Sequence, residues 1–372
     1  VKKIISVVFI SAMLLVFSIT TVNAEETTML YDLSGVYNSL SDEARQSLEN
    51  IGAGSADANE LSEITFSKII DEITSIAANN ISSPLKGLIS ITALLLLCSI
   101  ISVYKSSLSS DITTALNITS CLCITCAVAI PAINVISSMS NVIEVSSNLM
   151  IAYIPIMFVI MAAMGRSISG ASYYALMLAA GEGVGQLSSK VIVPLLDMFL
   201  GLSITSNISP DINLNGFINM ISKSIKWLLG FGMTIFTAVL AIKQLITTSL
   251  DDISTRAVRF TLNSFIPIVG SALSDAYKTV QGSIGLLKSG VGVFVILSVG
   301  VVFLPVILQS LMWICTLWIG KSTAEVLNLV QPAKLLESII SVFSTILAIL
   351  LCIMSIYIIS TAIVLIAGGN SG

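Results

Sequence analysis

Residues 290–309 read GVGVFVILSVGVVFLPVILQ, twenty residues without one charge. That is enough helix to cross the hydrocarbon of a bilayer. The run does not stand alone. The 372-residue chain is 55% hydrophobic and 10% charged, with a mean hydropathy of +0.99. A soluble domain of this size carries about a quarter charged residues, so the sequence is that of an all-α integral membrane protein. There is no histidine, which removes the commonest general base and metal ligand together. The net charge of −4 argues against a nucleic-acid partner.

Outward from 290–309, which can continue to Ile319, apolar runs predict about seven spans, with six or eight as the alternatives. They are Leu85–Tyr104, Ala115–Ile136 with Pro131, Leu149–Gly165 with Pro155, the region 171–204, Trp227–Thr247, Gly290–Gln309 with Pro305, and Leu335–Ile366. Region 171–204 is too long for one straight crossing and is interrupted by GEGVGQ at 181–186 and by Pro194. It reads as one kinked span or two half-helices. Seven spans place the C-terminus in the cytoplasm. Loop cations support that orientation weakly, six inside against five outside.

The N-terminal part differs. Lys2 and Lys3 precede the apolar run Ile4–Ile19, and Val22-Asn23-Ala24 ends it with small residues, the layout of a signal peptide over 1–24. An uncleaved anchor is the alternative. Segment 25–84, with eleven carboxylates against Arg45 and Lys68, then lies outside the cytoplasm. Two short helices are expected in it. One is capped by Ser41 and stopped by Gly52; the other runs over about Glu60–Ala78. Ser83-Pro84 is expected to open the first span, and 85–372 forms the polytopic domain.

Between the fifth and sixth spans, residues 256–283 read RAVRFTLNSFIPIVGSALSDAYKTVQGS. Asp252 and Arg256 stand at i,i+4, Asp275 and Lys278 at i,i+3, around Pro267 and Gly270. Polar helix, apolar hinge, polar helix predicts a re-entrant or interfacial hairpin at about 251–289. An amphipathic loop lying on the bilayer is the alternative.

Catalytic and nucleotide-binding motifs are absent from the sequence, which predicts neither enzyme activity nor a cofactor. The cluster Cys121, Cys123, Cys126 reads as small apolar residues on a membrane helix. Gly181 and Gly185, four apart, suit close helix approach. Glu182 and Asp197 are carboxylates within apolar sequence, and such groups are functional candidates. Lys190 could reach Asp197 if the helix bends at Pro194.

Arg256-x-x-Arg259-Phe260 followed by FIPIVGSALSDAYKTVQGS strongly resembles the signature of the stage III sporulation protein AE family. YIPIMFVIMAAMG at 153–165, WLLGFGMTIFTAVLAIKQ at 227–244, Leu250-Asp251-Asp252 and Gln331-Pro332 follow in the family's order. The family pattern has a glutamate where Gln331 stands, so no role is carried over to Gln331. The resemblance implies a non-enzymatic subunit in the mother-cell membrane around the forespore. Other stage III sporulation A subunits and a forespore membrane partner would complete a secretion-like transenvelope channel that supports late forespore gene expression. Self-association of the chain is compatible with this. Arg256, Arg259, Pro267, Gly270, Asp275 and Lys278, with Glu182 and Asp197, are then the candidate conduit residues. The alternative is a stand-alone secondary transporter or permease, with a midplane site near Glu182, Asp197 and 256–283.

Overall fold

A computed structural model describes residues 34–56, 58–103, 110–164, 166–208, 214–265 and 270–366, and over 243–265 and 270–287 it describes the helical backbone alone. The expected signal peptide and Pro267 fall outside these residues. Every regular element among them is helical. The acidic segment holds α1 (Ser34–Asn38), α2 (Asp42–Ile51), α3 (Ala58–Ser62) and α4 (Phe66–Asn80). The apolar body holds α5 (Ser82–Val103), α6 (Ser110–Ala163), α7 (Ser167–Leu187), α8 (Val193–Ile208), α9 (Asn215–Phe265), α10 (Gly270–Val326) and α11 (Val330–Ile366).

Five stretches of the described residues are long and apolar enough to cross a membrane: Ser82–Ser102, Ile118–Ala163, Ser167–Ile208, Lys288–Val326 and Val330–Leu365. Trp227–Thr247 lies within α9, a further helix of 51 residues. The seven separate spans are not reproduced, and α6 is the reason. It is unbroken over 54 residues with Pro131 and Pro155 inside it, so the two spans expected at Ala115–Ile136 and Leu149–Gly165 are one helix. An unbroken helix crosses a bilayer once.

Region 171–204 is also a single run. GEGVGQ is helical within α7. The irregularity falls later, at Ser188–Ile192, where the Val193 N–H reaches back five residues to the Ser188 carbonyl. Pro194 follows immediately. Its ring would clash with the carbonyl four residues earlier, and the widened turn before it relieves that crowding.

The centre of the molecule is the antiparallel pair α10–α11. Trp313 stacks on Phe343 with ring centroids 6.0 Å apart, and Leu365 lies on Gly292. The chain reverses between the two helices at Asn328, which has φ 58°. Leu329 N–H donates to Ala324 O at 2.9 Å and Asn328 N–H to Glu325 O at 3.0 Å, closing the last turn of α10. Lys321 bridges this corner, 3.3 Å from Glu337 and 3.6 Å from Glu325.

The remaining runs alternate in direction around the pair. At the Lys321 end, Asn207 donates to Ser338 at 3.0 Å, which fixes the end of α8, and α9 starts shortly after it. Farther along, Cys352 lies 3.8 Å from the Leu229 carbonyl, so α9 runs parallel to α11. At the opposite end, Arg166 between α6 and α7 comes within electrostatic range of Lys288. Tyr37 of α1 packs on Phe294 at 5.0 Å. One end of the bundle therefore collects Tyr37 of α1, the α6–α7 corner, the outgoing arms of α9 and α10, and the last turns of α11, while the acidic segment extends along α10 to the start of α5, where Thr316 Oγ1 donates to Pro84 O at 3.3 Å.

Within the acidic segment, Ser41 Oγ accepts from Ala44 N–H at 3.3 Å and Gly52 adopts φ 87°, as the sequence predicts. Leu40, Leu48 and Ile51 are buried with Val36. The helix expected over Glu60–Ala78 is two helices, separated at Glu63–Thr65. Ser83-Pro84 lies inside α5 rather than capping it, because Ile81 keeps right-handed helical angles (φ −71°, ψ −24°) and joins α4 almost directly to α5. The segment packs on α6 and α10, not on itself alone. Leu48→Ala should loosen it by about 2–4 kcal/mol. Hydrogen exchange of α1 and α2 should speed up while α10 and α11 stay protected; unchanged exchange in α2 would contradict this docking.

Candidate functional site

The sequence candidates do not assemble into a midplane site. Glu182 and Asp197 are both exposed. They lie fifteen residues apart on one nearly continuous helical run, which is about 22 Å of rise. Lys190 donates to Gln186 at 2.8 Å, one turn away, and makes no pair with Asp197. Arg256 and Arg259 lie on α9, and Gly270, Asp275 and Lys278 on α10, in the stretches described as backbone. The hinge 266–269 between them is outside the described residues. The two helical flanks of the expected hairpin are present, each continuous with an apolar run.

Glycine spacing was the more informative signal. Gly181 and Gly185 face α6, where Ser147 Oγ donates to Gly181 O at 2.6 Å. A Cβ at Gly185 would stand 3.3 Å from Ser147 Oγ, and one at Gly181 would stand 3.5 Å from Ile151. Gly183, between them, has nothing within 4 Å. The glycines thus bring two backbones together through a serine, as small-residue interfaces do in membranes. Ser146, Tyr153, Tyr173, Ser188, Ser203 and Tyr357 are buried as well. Tyr153 lies against Tyr173, and Tyr357 against Ser147.

Two cations missing from the candidate list are buried at the arm-bearing end. Arg166 is 7% exposed and Lys288 is 2% exposed. Both belong to the six inner loop cations counted from the sequence. No periodicity marks them, because each sits at the edge of an apolar run instead of within one. Cys121 is buried in the core while Cys123 and Cys126 are exposed. Among the described residues no group of three or more His, Cys, Asp or Glu could hold a metal.

The seam separates two glycine substitutions. Gly185→Leu should push α6 and α7 apart at a cost of about 1–3 kcal/mol. Gly183→Leu should be neutral or gain up to ~1 kcal/mol from helix propensity. Thermal unfolding of the purified protein in detergent reads the difference; equal losses in both would mean that no close seam exists.

The chain is 27% identical over 146 residues to stage III sporulation protein AE of Bacillus subtilis (strain 168), covering 39% of this chain and 37% of that protein. The chain's match thus spans little more than a third of that relative's length. No solved structure matches. The profile of the stage III sporulation protein AE family matches residues 55–368, and the chain belongs to that family.

Proposed function

We propose that this chain is a non-enzymatic membrane subunit of a transenvelope channel built during spore formation. It would work in the mother-cell membrane around the forespore and support late forespore gene expression. Family membership supports the sporulation role. The observation that carries the structural part is the extension of α9 and α10 past their apolar runs. Residues 248–265 and 270–287 continue as helices, each about 27 Å long at 1.5 Å per residue. Paired arms of this length, bearing Arg256, Arg259, Asp275 and Lys278, suit contact with other stage III sporulation A subunits, a forespore membrane partner or a second copy of this chain. The arms are the working element in this reading.

The alternating runs fit six crossings: α5, α6, α7–α8, α9, α10 and α11. An even count puts the acidic segment, the arms and the C-terminal end of α11 on one face. With segment 25–84 outside the mother-cell cytoplasm, the arms face the gap between the two membranes. The transporter alternative is weaker, since Glu182 and Asp197 do not converge.

Arg256→Ala with Arg259→Ala should lower spore yield at least tenfold while the protein stays in the membrane. Wild-type yield in that double mutant would remove the arms from the function. Single cysteines at Ser55 and Gly285 on a cysteine-free background should react with an impermeant maleimide from the same side of sealed protoplasts. Labelling from opposite sides would overturn the six-crossing topology.

A further inference from the structure

We propose that the interior junction of α6, α7 and α11 binds a short file of ordered water molecules, held by the hydroxyls of Ser146, Tyr153, Tyr173, Ser188 and Tyr357. This goes beyond the sporulation role and does not depend on it.

The contacts along the seam fix where these hydroxyls stand. Ser147 meets Gly181 and Gly185, Ile151 meets Gly181, and Phe158 meets Gly170 and Tyr174. Tyr153 lies between Ile151 and Phe158 on α6, and Tyr173 between Gly170 and Gly181 on α7. The two phenols are close, yet neither hydroxyl makes a hydrogen bond among the described residues. Ser146 precedes Ser147 and shares a helix face with Tyr153, seven residues on, about 10 Å of rise. Ser188 shares a face with Gly181 and Gly185 and opens the widened turn. Tyr357 enters from α11, which packs on α6, and stands against Ser147. None of the five residues is more than 5% exposed. None of their hydroxyls has a hydrogen-bond partner among the described residues.

Other buried serines in the bundle settle differently. Ser298 donates to Phe294 O at 2.8 Å, Ser310 to Val306 O at 2.7 Å and Ser355 to Leu351 O at 2.7 Å, each to the carbonyl one turn back. Ser146 and Ser188 forgo that bond. A phenol cannot reach the carbonyls of its own helix, so the three tyrosines need a partner from outside it. Five buried hydroxyls left dry would strongly disfavour this packing. All five are neutral, which gives them no counter-charge to hold an ion, and each both donates and accepts. Water has the same double capacity, and a buried molecule makes about three such bonds. The rise from Ser146 to Tyr153 is too great for one molecule to serve both, so several stand in line.

Removing the phenol oxygens gives the test a sign. Deleting an oxygen bonded by water loses a hydrogen bond, whereas deleting one from a dry seam relieves an unpaired polar group. In the purified full chain in detergent, Tyr153→Phe, Tyr173→Phe and Tyr357→Phe should each lower the unfolding midpoint by about 2 °C. Tyr153→Phe combined with Tyr173→Phe should lose less than the sum of the two, because the phenols share a water molecule. X-ray radiolysis provides a second readout, since hydroxyl radicals formed from bound water attack the rings beside it. Tyr153, Tyr173 and Tyr357 should be oxidised well above the equally buried Phe343. An unchanged or higher midpoint in all three variants, or ring oxidation no greater than at Phe343, would overturn the water file.

Discussion

The pairing of α10 with α11 is the contact on which everything else leans. In their most apolar windows these two helices are 61% buried inside the protein, whereas α5 is 22% buried. A lipid-facing helix gains little from leaving one apolar medium for another, so burial of this extent must come from close packing. Phe294, Val299, Phe303, Leu336, Phe343 and Leu350 provide it. The other helices form a looser layer on this pair, with Leu96, Leu97, Ile100, Ile130 and Phe231 facing outward. The Asn328 reversal and the Lys321 bridge fix the register at one end of the pair. At the other end, Tyr37 of α1 and the α6–α7 corner lie over it.

Composition made the class of the protein legible, and capping chemistry located α2. Hydropathy divided the chain less well. The stretch from Ser137 to Asn148 contains serines, Asn141 and Glu144, and on an averaged scale it looks like a loop between two spans. In the structure Ser146 and Ser147 are buried against α7 while Glu144 is exposed. The polar residues divide between the buried and the exposed face of a continuous helix. An average over a window discards that direction, and a hydroxyl that bonds a neighbouring carbonyl costs far less than the scale assumes. The glycines were read correctly as an approach surface because their four-residue spacing retains direction.

The candidate site was less legible than the fold. Glu182 and Asp197 stood out because they interrupt apolar sequence, yet interruption alone does not make groups meet. Rise along a helix separates them, and both face away from the core. Arg166 and Lys288 drew no such attention. They lie 122 positions apart and come into electrostatic range only because α6 ends, and the apolar run of α10 begins, at the same end of the bundle. Long-range juxtaposition of this kind is set by topology, which no local pattern records.

The seating of Tyr37 on Phe294 has a consequence for biogenesis. The residues that cover the first apolar turns of α10 are made early, and α10 itself is made after two-thirds of the chain has left the ribosome. Until then Val36, Leu40 and Leu48 have no complete partner surface. Closing so long a loop is the last large step, so an arrest before α10 would leave an adhesive, unfinished protein exposed to proteolysis.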